Sequence, residues 1–293
     1  MTIKQYLYRF VYEQHWTIGF IISPLADIVN GSPYEVHFVR GMPHDRWFAD
    51  PFILDYNEQS IQVLVEEFCY KIKRGRIAKL TIDRRNFRLI SYKIILDLPT
   101  HLSFPYIERK DGRVYISPEN SASGCWCKYE YDEDNDTLIK TQEIVREPLT
   151  DAIKINEFGE ELIIATHIPT QNGNVLSVYY ANGKKKYDIE FQSMIARNAG
   201  DVFKVGNIVY RPAQDCTKAY GEAVIIQEVS IGKNELCFNN ILRLESPNSK
   251  YNTGCHTFNH YHGLSVIDVH GYRRNTLARL VTSIKRMMLH QPK

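Results

Sequence analysis

The sequence lacks the features of a membrane-spanning or secreted protein. No apolar run reaches the roughly 18 residues that a membrane-spanning helix needs. The first residues do not combine a basic segment, an apolar segment and a small-residue cleavage site, so no signal peptide is predicted. The net charge is only +2, which does not favour nucleic acid as a partner. We therefore predict a cytoplasmic protein that does not bind nucleic acid.

Motifs for metals and common cofactors are also missing. The chain holds six cysteines but no CxxC pair, and we expect Cys125 and Cys127 to point to opposite faces of a strand. Metal binding through cysteine is therefore not predicted. There is no P-loop, no GxGxxG after a strand, no HExxH and no GxSxG. We predict neither a metal site nor a bound cofactor.

What the sequence does contain is a recurring short pattern. It is clearest at 46–53 (RWFADPFI), where Asp50 and Pro51 stand at the start of an apolar strand. Later stretches place an acid, His or Ser beside Pro or Gly, followed by a strand, a turn and another strand. Their starts lie roughly 50 residues apart, a period typical of propeller blades or solenoid units. They are 101–105 (HLSFP), 149–152 (LTDA), 198–201 (NAGD) and 254–257 (GCHT).

The strand pattern predicts the number of blades. Apolar runs separated by Gly, Pro, Asn and Asp turns give four sets of four strands between residues 50 and 244. The last set has only two strands, 256–259 and 264–269, so strands within residues 17–39 would complete it and close the ring. The predicted fold is therefore all-β, a five-bladed β-propeller over residues 1–272.

Both ends of the chain show helical spacing. Apolar residues in 1–16 predict a short amphipathic helix, and those in 273–293 predict a basic amphipathic C-terminal helix. A basic amphipathic helix can lie on an anionic membrane surface, here the inner membrane. The alternative is a helix packed on the propeller with its lysines and arginines in solvent.

Acids at equivalent strand starts are the candidates for catalysis. In a propeller these positions line the axial funnel, so Asp50 and Asp151 are expected to face one cavity, with Glu222 as a candidate partner acid. Several carboxylates around a pocket suit glycosyl transfer or hydrolysis, one as base or nucleophile and another as acid. The alternative for any single Asp is a turn cap.

Polar residues at the same height of the ring are predicted to bind substrate. Strand alternation requires one of Glu66 and Glu67 to point inward. Arg211 has two interpretations, a bidentate grip on a phosphate or carboxylate and a structural ion pair with Asp215. His256 has two as well, a hydrogen-bonding wall residue and a contact to a donor phosphate. The predicted substrate-binding residues are Glu66, Glu67, His101, Ser103, Glu119, Arg211, Gln214, Asp215 and His256.

Five motifs in order resemble one known family. It is the N-terminal domain of glucosamine inositolphosphorylceramide transferases, which also occurs alone or fused to other domains in bacteria. The family is similar to the five-bladed propellers of arabinanase-type and invertase-type glycoside hydrolases, in which an Asp before Pro or Asn on the first blade is base or nucleophile. Asp50 matches that position. The motifs are WFADPFI, LVEEF, HLSFPYIERKDGRVYISPEN, YRPAQDCTKAYGEAV and GCHTFN.

The leading hypothesis is a glycosyltransferase in bacterial surface polysaccharide biosynthesis. Its partners would be an activated sugar donor and a lipid-linked glycan acceptor, with a peripheral contact to the inner membrane through the C-terminal helix. The alternatives are a glycoside hydrolase of the five-bladed propeller type and a non-catalytic glycan-binding module. Replacing Asp50 by Asn separates catalysis from binding, because a catalyst loses rate and a binding module loses only affinity.

Overall fold

The computed structural model describes residues 12–233 and 235–274. In this part of the chain there are twenty strands, one short α-helix (α1, Leu25–Val29) and a 3₁₀ turn at Ser121–Ser123. The strands β1 to β20, in chain order, are Tyr12–Ile21, Val36–Phe38, Arg46–Tyr56, Ser60–Cys69, Arg74–Asp83, Leu89–Leu96, Ser103–Lys110, Arg113–Glu119, Trp126–Asp132, Thr137–Val145, Leu149–Ile155, Leu162–His167, Val175–Tyr180, Lys185–Glu190, Phe203–Val205, Ile208–Asp215, Ala223–Ile231, Leu236–Leu244, Phe258–Tyr261 and Leu264–Arg274.

The strands form five antiparallel sheets of four strands each. Blades one to four each take consecutive strands: β3 to β6, β7 to β10, β11 to β14 and β15 to β18. Blade five has the order β19-β20-β1-β2, so N-terminal strands complete the last sheet. The long pairing of β1 with β20, from Tyr12 opposite Arg274 to Ile21 opposite Ser265, closes the ring. The predicted five-bladed propeller and its closure are confirmed.

Local sequence explains where the strands turn and which of them are inside. Asp111 and Gly112 both have positive φ, 52° and 73°, as a tight hairpin between β7 and β8 requires. The first strand of blade three, β11, is buried along its whole length, whereas the outer strand β6 is mostly exposed. Inner strands are covered by neighbouring blades on both faces and are therefore continuously apolar, with few polar exceptions.

Those exceptions lie near the axis, because the first strands of neighbouring blades approach one another there. β3 contacts both β7 and β19, and β7 also contacts β11. Polar side chains on these strands can therefore converge although they are far apart in the sequence. The apolar core lies between the blades, as in the cluster that joins Phe52 to Phe104 and Leu102.

The predicted terminal helices are not confirmed. Residues 12–16 of the predicted N-terminal helix belong to strand β1, because their backbone pairs with β20. Residues 1–11 and 275–293, which carry most of both predicted helices, lie outside the described residues. Within the described part of the chain, no helix has the length and apolar character needed to cross a bilayer.

Candidate active site

The inner strands of blades one to three are interrupted at the same place. Asp50, Phe104 and Asp151 have positive φ values of 50°, 42° and 46°. At each position the pairing with the second strand skips two residues, from Ala49 to Phe52 in blade one, for example. This is a β-bulge repeated in three blades, and a bulge re-aims the side chain that it carries.

The repeated bulge corrects the expected equivalence of the blades. In blade two the residue that matches Asp50 and Asp151 is the fully buried Phe104, and not His101 or Ser103. Ser103 instead lies opposite Glu119, as Ala49 lies opposite Glu66. Blades one and two therefore contribute Glu66 and Glu119 from matching positions on their second strands.

Asp50 and His256 form the first half of the site, and Asp268 holds them together. The Asp268 carboxylate accepts the backbone N–H groups of Asp50 at 2.9 Å, His256 at 3.1 Å and Thr257 at 3.0 Å. It also accepts a hydrogen bond from His256 Nδ1 at 2.8 Å. The other ring nitrogen, His256 Nε2, then lies 3.5 Å from Asp50 Oδ1. Trp16 stacks on the imidazole with ring centroids 3.9 Å apart. The imidazole is thus fixed on three sides and directed at Asp50.

The buried charges of this group shift its proton affinities. Burial raises the pKa of Asp50 to about 8, opposed by the His256 charge and supported by the carboxylates of Glu66 and Asp151. Burial lowers the pKa of His256, but the Asp268 and Asp50 carboxylates outweigh it and raise that pKa to about 9. Burial acts to raise the pKa of Asp268, but His256 outweighs it and holds the pKa below its ordinary value. Near neutral pH, His256 is therefore an imidazolium and Asp50 holds a proton much of the time.

Arg197 organises the second half of the site. Its Nε donates to Asp151 Oδ2 at 2.6 Å, and its Nη2 lies 3.4 Å from both Asp151 Oδ1 and Glu119 Oε2. The remaining nitrogen, Nη1, donates to Asn172 Oδ1 at 2.8 Å. Gln214 Nε2 adds a bond of 2.8 Å to Asp151 Oδ2. Asp151 is therefore held in place by two nitrogens of one arginine and by an amide.

Glu119 has the opposite character. Burial and the adjacent Asp151 raise the pKa of Glu119 well above its ordinary value, although Arg197 opposes them. Ser121 Oγ donates to Glu119 Oε1 at 3.0 Å and fixes the carboxyl group. Its surroundings therefore favour the protonated form of Glu119.

The site reaches solvent past His101 and Tyr220. The His101 side chain is 45% exposed, with its Nε2 3.2 Å from Glu66 Oε1. Tyr220 is 47% exposed, lies edge-on to His256 at 5.5 Å and has the Arg197 guanidinium 5.2 Å from its ring centroid. These two residues form a rim around an otherwise buried acidic cluster. We call the whole group the axial cluster: Asp50, Glu66, His101, Glu119, Asp151, Arg197, Gln214, Tyr220, His256 and Asp268.

Besides Ser103, which lies opposite Glu119, four predicted site residues lie outside the axial cluster. Glu67 is fully buried on the opposite face of β4 from Glu66, and it pairs with Arg46 at 2.7 Å and Arg76 at 2.9 Å. Asp215 and Glu222 both pair with Arg243, at 3.1 and 3.3 Å. In each case an adjacent arginine neutralises the acid. Arg211 is the fourth.

The structure contradicts both interpretations of Arg211. Its side chain is fully buried in blade four, between the rings of Phe191 and Phe238 at 5.8 and 5.1 Å. Its guanidinium donates to Asn198 Oδ1 and Gln227 Oε1, both at 2.7 Å, and to the Ala196 carbonyl. All three acceptors are neutral, and burial lowers the pKa of Arg211 to about 9. It pairs with neither a pocket ligand nor Asp215.

Sequence reasoning missed Arg197, Asp268 and Trp16. Trp16 was assigned to a helix, and Asp268 lies inside an apolar strand with no turn residue to mark it. Arg197 directly precedes the recurring 198–201 stretch, which was the only signal available for it. A buried Asp in the strand Leu264–Arg274 could have been flagged, because such a charge requires partners.

The axial cluster suits proton transfer better than metal binding. Among the described residues, Asp50, His256 and Asp268 have potential ligand atoms within 4.8 Å of one another. Both Asp268 oxygens already accept N–H groups, and Asp50 Oδ2 accepts the Phe104 N–H at 3.0 Å. The atoms left over are Asp50 Oδ1 and His256 Nε2, fewer than the three or four protein ligands of a typical zinc site.

Two carboxyl groups with raised pKa values, Asp50 and Glu119, thus stand near Asp151, which Arg197 binds. Acids held in different environments within one site are typical of acid–base catalysis at a sugar centre. The fold and this site define a class: five-bladed β-propellers with an acidic axial site.

Solved structures resemble the chain in fold. A GH43 beta-xylosidase/alpha-arabinofuranosidase from a compost microbial metagenome aligns with a TM-score of 0.53 and 9% identity, over 79% of this chain and 92% of that one. A GH43_1 enzyme from Xanthomonas citri aligns with a TM-score of 0.51 and 10% identity, over 79% and 88%. Identities this low show a shared fold and no more.

The sequence places the chain more narrowly. The family model described as "Glucosamine inositolphosphorylceramide transferase 1, N-terminal" matches residues 38–271, and the chain belongs to this family. Proteins named glucosamine inositolphosphorylceramide transferase 1 are 26% identical over 154 residues in Arabidopsis thaliana and 25% identical over 148 residues in Oryza sativa subsp. japonica. These matches cover 48% and 46% of this chain but only 20% of each relative, so the chain spans about a fifth of their length. The predicted family resemblance is confirmed.

Proposed function

We propose that the chain is a glycosyltransferase whose active site is the axial cluster. The observation that carries the proposal is the convergence of Asp50, Glu119 and Asp151 with two cationic groups, His256 and Arg197. Membership of a family named after a sugar transferase supports it. Neither observation identifies the sugar, so the donor and acceptor are assigned only by class.

In this mechanism Asp50 accepts the proton of an acceptor hydroxyl group as that oxygen attacks the sugar. A pKa near the working pH is the optimum for such a base, and burial raises the pKa of Asp50 to about 8. His256, held by Asp268, favours the ionised form of Asp50 that accepts this proton, because its positive charge faces that carboxylate. Glu119 can donate its proton to the leaving oxygen, while Asp151, held in place by Arg197, faces the positive charge that develops on the sugar.

The sequence predicts that Arg211 and His256 contact the donor phosphate. We propose instead that His256 and Arg197 contact it. Arg211 is fully buried among neutral acceptors and cannot reach a ligand without breaking its hydrogen bonds to them. His256 and Arg197 lie in the axial cluster beside the half-exposed Tyr220. A phosphate there would compete with the carboxyl groups of Asp151 and Glu119 for hydrogen bonds from Arg197.

We also propose a class of acceptor and a cellular setting. The relatives' name denotes transfer to a ceramide-linked inositol phosphate, which supports a lipid-linked glycan as acceptor for this chain. We propose bacterial surface polysaccharide biosynthesis in the cytoplasm, with the basic segment 273–293 touching the inner membrane. Co-sedimentation with anionic vesicles, compared with a chain truncated after residue 274 so that strand β20 is kept, tests that contact.

A glycoside hydrolase is the second candidate. The observation that favours it is the pair of acids Asp50 and Glu119, whose raised pKa values suit the protonation of a leaving sugar oxygen. In that case water replaces the acceptor hydroxyl, and no nucleotide or phosphate is needed. A glycan-binding module is the outcome if neither transfer nor hydrolysis is found.

The test compares the wild-type protein with Asp50→Asn and with the surface control Asp188→Asn, whose side chain is 45% exposed on an outer strand. Melting temperatures are measured with nucleotide sugars, phosphorylated pentoses and free oligosaccharides, because a ligand of the native state raises the melting temperature. Donors that stabilise the protein are then incubated with lipid-linked acceptors, and products are identified by mass spectrometry.

We expect a phosphorylated donor to stabilise all three proteins and only Asp50→Asn to lose turnover, by about 10²–10⁴-fold. Stabilisation by oligosaccharides alone, with release of free sugar, would replace the transferase by the hydrolase. Oligosaccharide binding without turnover in any of the proteins would leave a binding module and refute catalysis at Asp50.

A further inference from the structure

Cys125 and Cys127 lie together in blade two, apart from the axial cluster. Their sulfur atoms are 3.4 Å apart, in non-bonded contact. The expectation that they point to opposite faces is wrong, because side chains two residues apart on a strand lie on the same face. Cys127 is 6% exposed, and Cys125 is partly exposed beside the exposed residues 122–124.

The local backbone favours this approach. Strand β9 begins at Trp126, so Cys125 precedes it, and the pairing of β9 with β10 shifts register between Glu143 and Val145. In a regular strand, Cα atoms two residues apart are about 6.6–6.8 Å apart, at the upper limit for a disulfide. The irregular junction is where a strand can depart from that spacing and bring two thiols into contact.

Two charged groups on the neighbouring strand β10 act on the pair. Glu143 lies opposite Cys127 and accepts Lys140 Nζ at 2.9 Å, and the Glu143 carboxylate, followed by Cys127, raises the pKa of Lys140. An ammonium group beside a thiol stabilises the thiolate, which is the reactive form. Burial, followed by the adjacent Cys127, raises the pKa of Cys125 to about 12. Cys125 therefore holds its proton more firmly than an ordinary thiol, which suits it to the second step of a disulfide-forming reaction.

We propose that Cys125 and Cys127 are a redox modification site that forms a reversible intramolecular disulfide on exposure to a peroxide. This assignment is independent of the proposed sugar transfer. It rests on the contact between the two sulfur atoms, the partial exposure of Cys125 and the position of Lys140.

The reaction balances with hydrogen peroxide as the oxidant. The Cys127 thiolate attacks one peroxide oxygen, the O–O bond breaks, and a sulfenic acid and hydroxide form. Cys125 then attacks the sulfenic sulfur, the S–S bond forms, and the sulfenic oxygen leaves as a second hydroxide. The two thiol protons convert both hydroxides into water. The thiols lose two electrons, which the peroxide gains, and a dithiol reductant reverses the change.

The sequence makes the product easy to detect. Trypsin releases residues 114–128 as one fragment, because Arg113 and Lys128 flank a stretch without Lys or Arg. The full-length protein is treated with hydrogen peroxide, quenched, unfolded and alkylated before digestion. We expect this fragment to lose two hydrogen atoms and to resist alkylation at both cysteines. Treatment with dithiothreitol should restore both alkylation sites.

Three controls separate the folded geometry from general thiol chemistry. The exposed Cys237, whose sulfur contacts only the Glu235 carbonyl at 3.9 Å in the described structure, reports ordinary peroxide oxidation. In urea the pair loses its geometry, so disulfide formation should slow by about tenfold or more. Lys140→Met should slow it in the folded protein, because the Cys127 thiolate loses its cation. Cys125→Ser should leave Cys127 as a sulfenic or sulfinic acid.

The proposal is overturned if fragment 114–128 stays alkylated at both cysteines after Cys237 has been oxidised. It is also overturned if the disulfide forms equally fast in urea, since the sequence spacing alone would then explain it. If only the Lys140→Met result fails, so that this variant forms the disulfide as fast as the wild type, Lys140 is not the activating group. The assigned order of attack is then overturned.

Discussion

Replacing Asp268 by Asn should weaken the link between blades one and five in a pH-dependent way. Asp268 is fully buried and accepts N–H groups from Asp50, His256 and Thr257, together with the His256 ring. Asn offers one acceptor oxygen instead of two, so its amide group would face the Asp50 N–H, donor against donor. A buried unpaired donor costs about 1–3 kcal/mol.

The charge adds a second contribution through His256. Its pKa, ordinarily 6.5, is raised to about 9, and such a shift corresponds to about 3 kcal/mol of stability. A raised histidine pKa contributes stability that is complete below pH 6.5 and is lost as the pH rises through 9. Part of the stability that the variant loses in this way is regained, because the variant no longer buries the Asp268 charge. We therefore expect a net loss of about 2–4 kcal/mol at pH 6, or about 5–15 °C in melting temperature.

The assay is thermal unfolding of the wild type and Asp268→Asn from pH 6 to 9.5. The difference between the two proteins should be largest at pH 6 and should shrink as His256 loses its proton in the wild type. Asp50, whose raised pKa of about 8 makes stability fall as pH rises, acts in both proteins, so the difference is the quantity to follow. Asp97→Asn is the matched control, because arginine partners lower the Asp97 pKa and its effect should stay constant over this range. A difference for Asp268→Asn that does not change with pH would refute the assignment of His256 as a buried imidazolium.

Three further predictions concern individual groups. Arg211→Met should destabilise the protein by about 3–5 kcal/mol, because it leaves buried acceptors unpaired. The affinity for any sugar donor that stabilises the protein should stay unchanged. A folded variant with lower affinity would show that Arg211 belongs to the binding site. Gly221→Ala should lower turnover as well as stability. A Cβ at this position would lie 2.6 Å from the His256 Cβ, and the φ of +59° at Gly221 is strained for alanine. Turnover equal to that of the wild type would show that the imidazole can move without loss of activity. If Asp50 is the general base, turnover should rise with pH toward a pKa of about 8, whereas a fall above that pH in steady-state rates would assign it as the acid.

Much of the fold was predictable because its determinants are local. Strand length and turn positions depend on runs such as 61–66 and on turns such as Asp111-Gly112, which act over a few residues. The missing pair of strands in blade five followed from counting, and the pairing of β1 with β20 confirms it. Spacing along the chain also placed Asp50, Glu66, Glu119, Asp151 and His256 in one region.

The partners of those residues could not be predicted in the same way. Asp268 joins Asp50 across 218 positions of the sequence, and Arg197 joins Glu119 across 78, so no local pattern announces either contact. Arg211 and Gln214 lie three residues apart on one regular strand and so face opposite sides, which puts only Gln214 on Asp151.

The sequence by itself determined that the chain is a five-bladed propeller of this family, since blade count, closure and motif order are properties of succession along the chain. The tertiary structure alone decided which acids carry protons. Proton affinity depends on burial and on charges a few ångströms away, as for Asp50 beside His256 and Glu119 beside Asp151. Those distances exist only once the blades have closed around the axis.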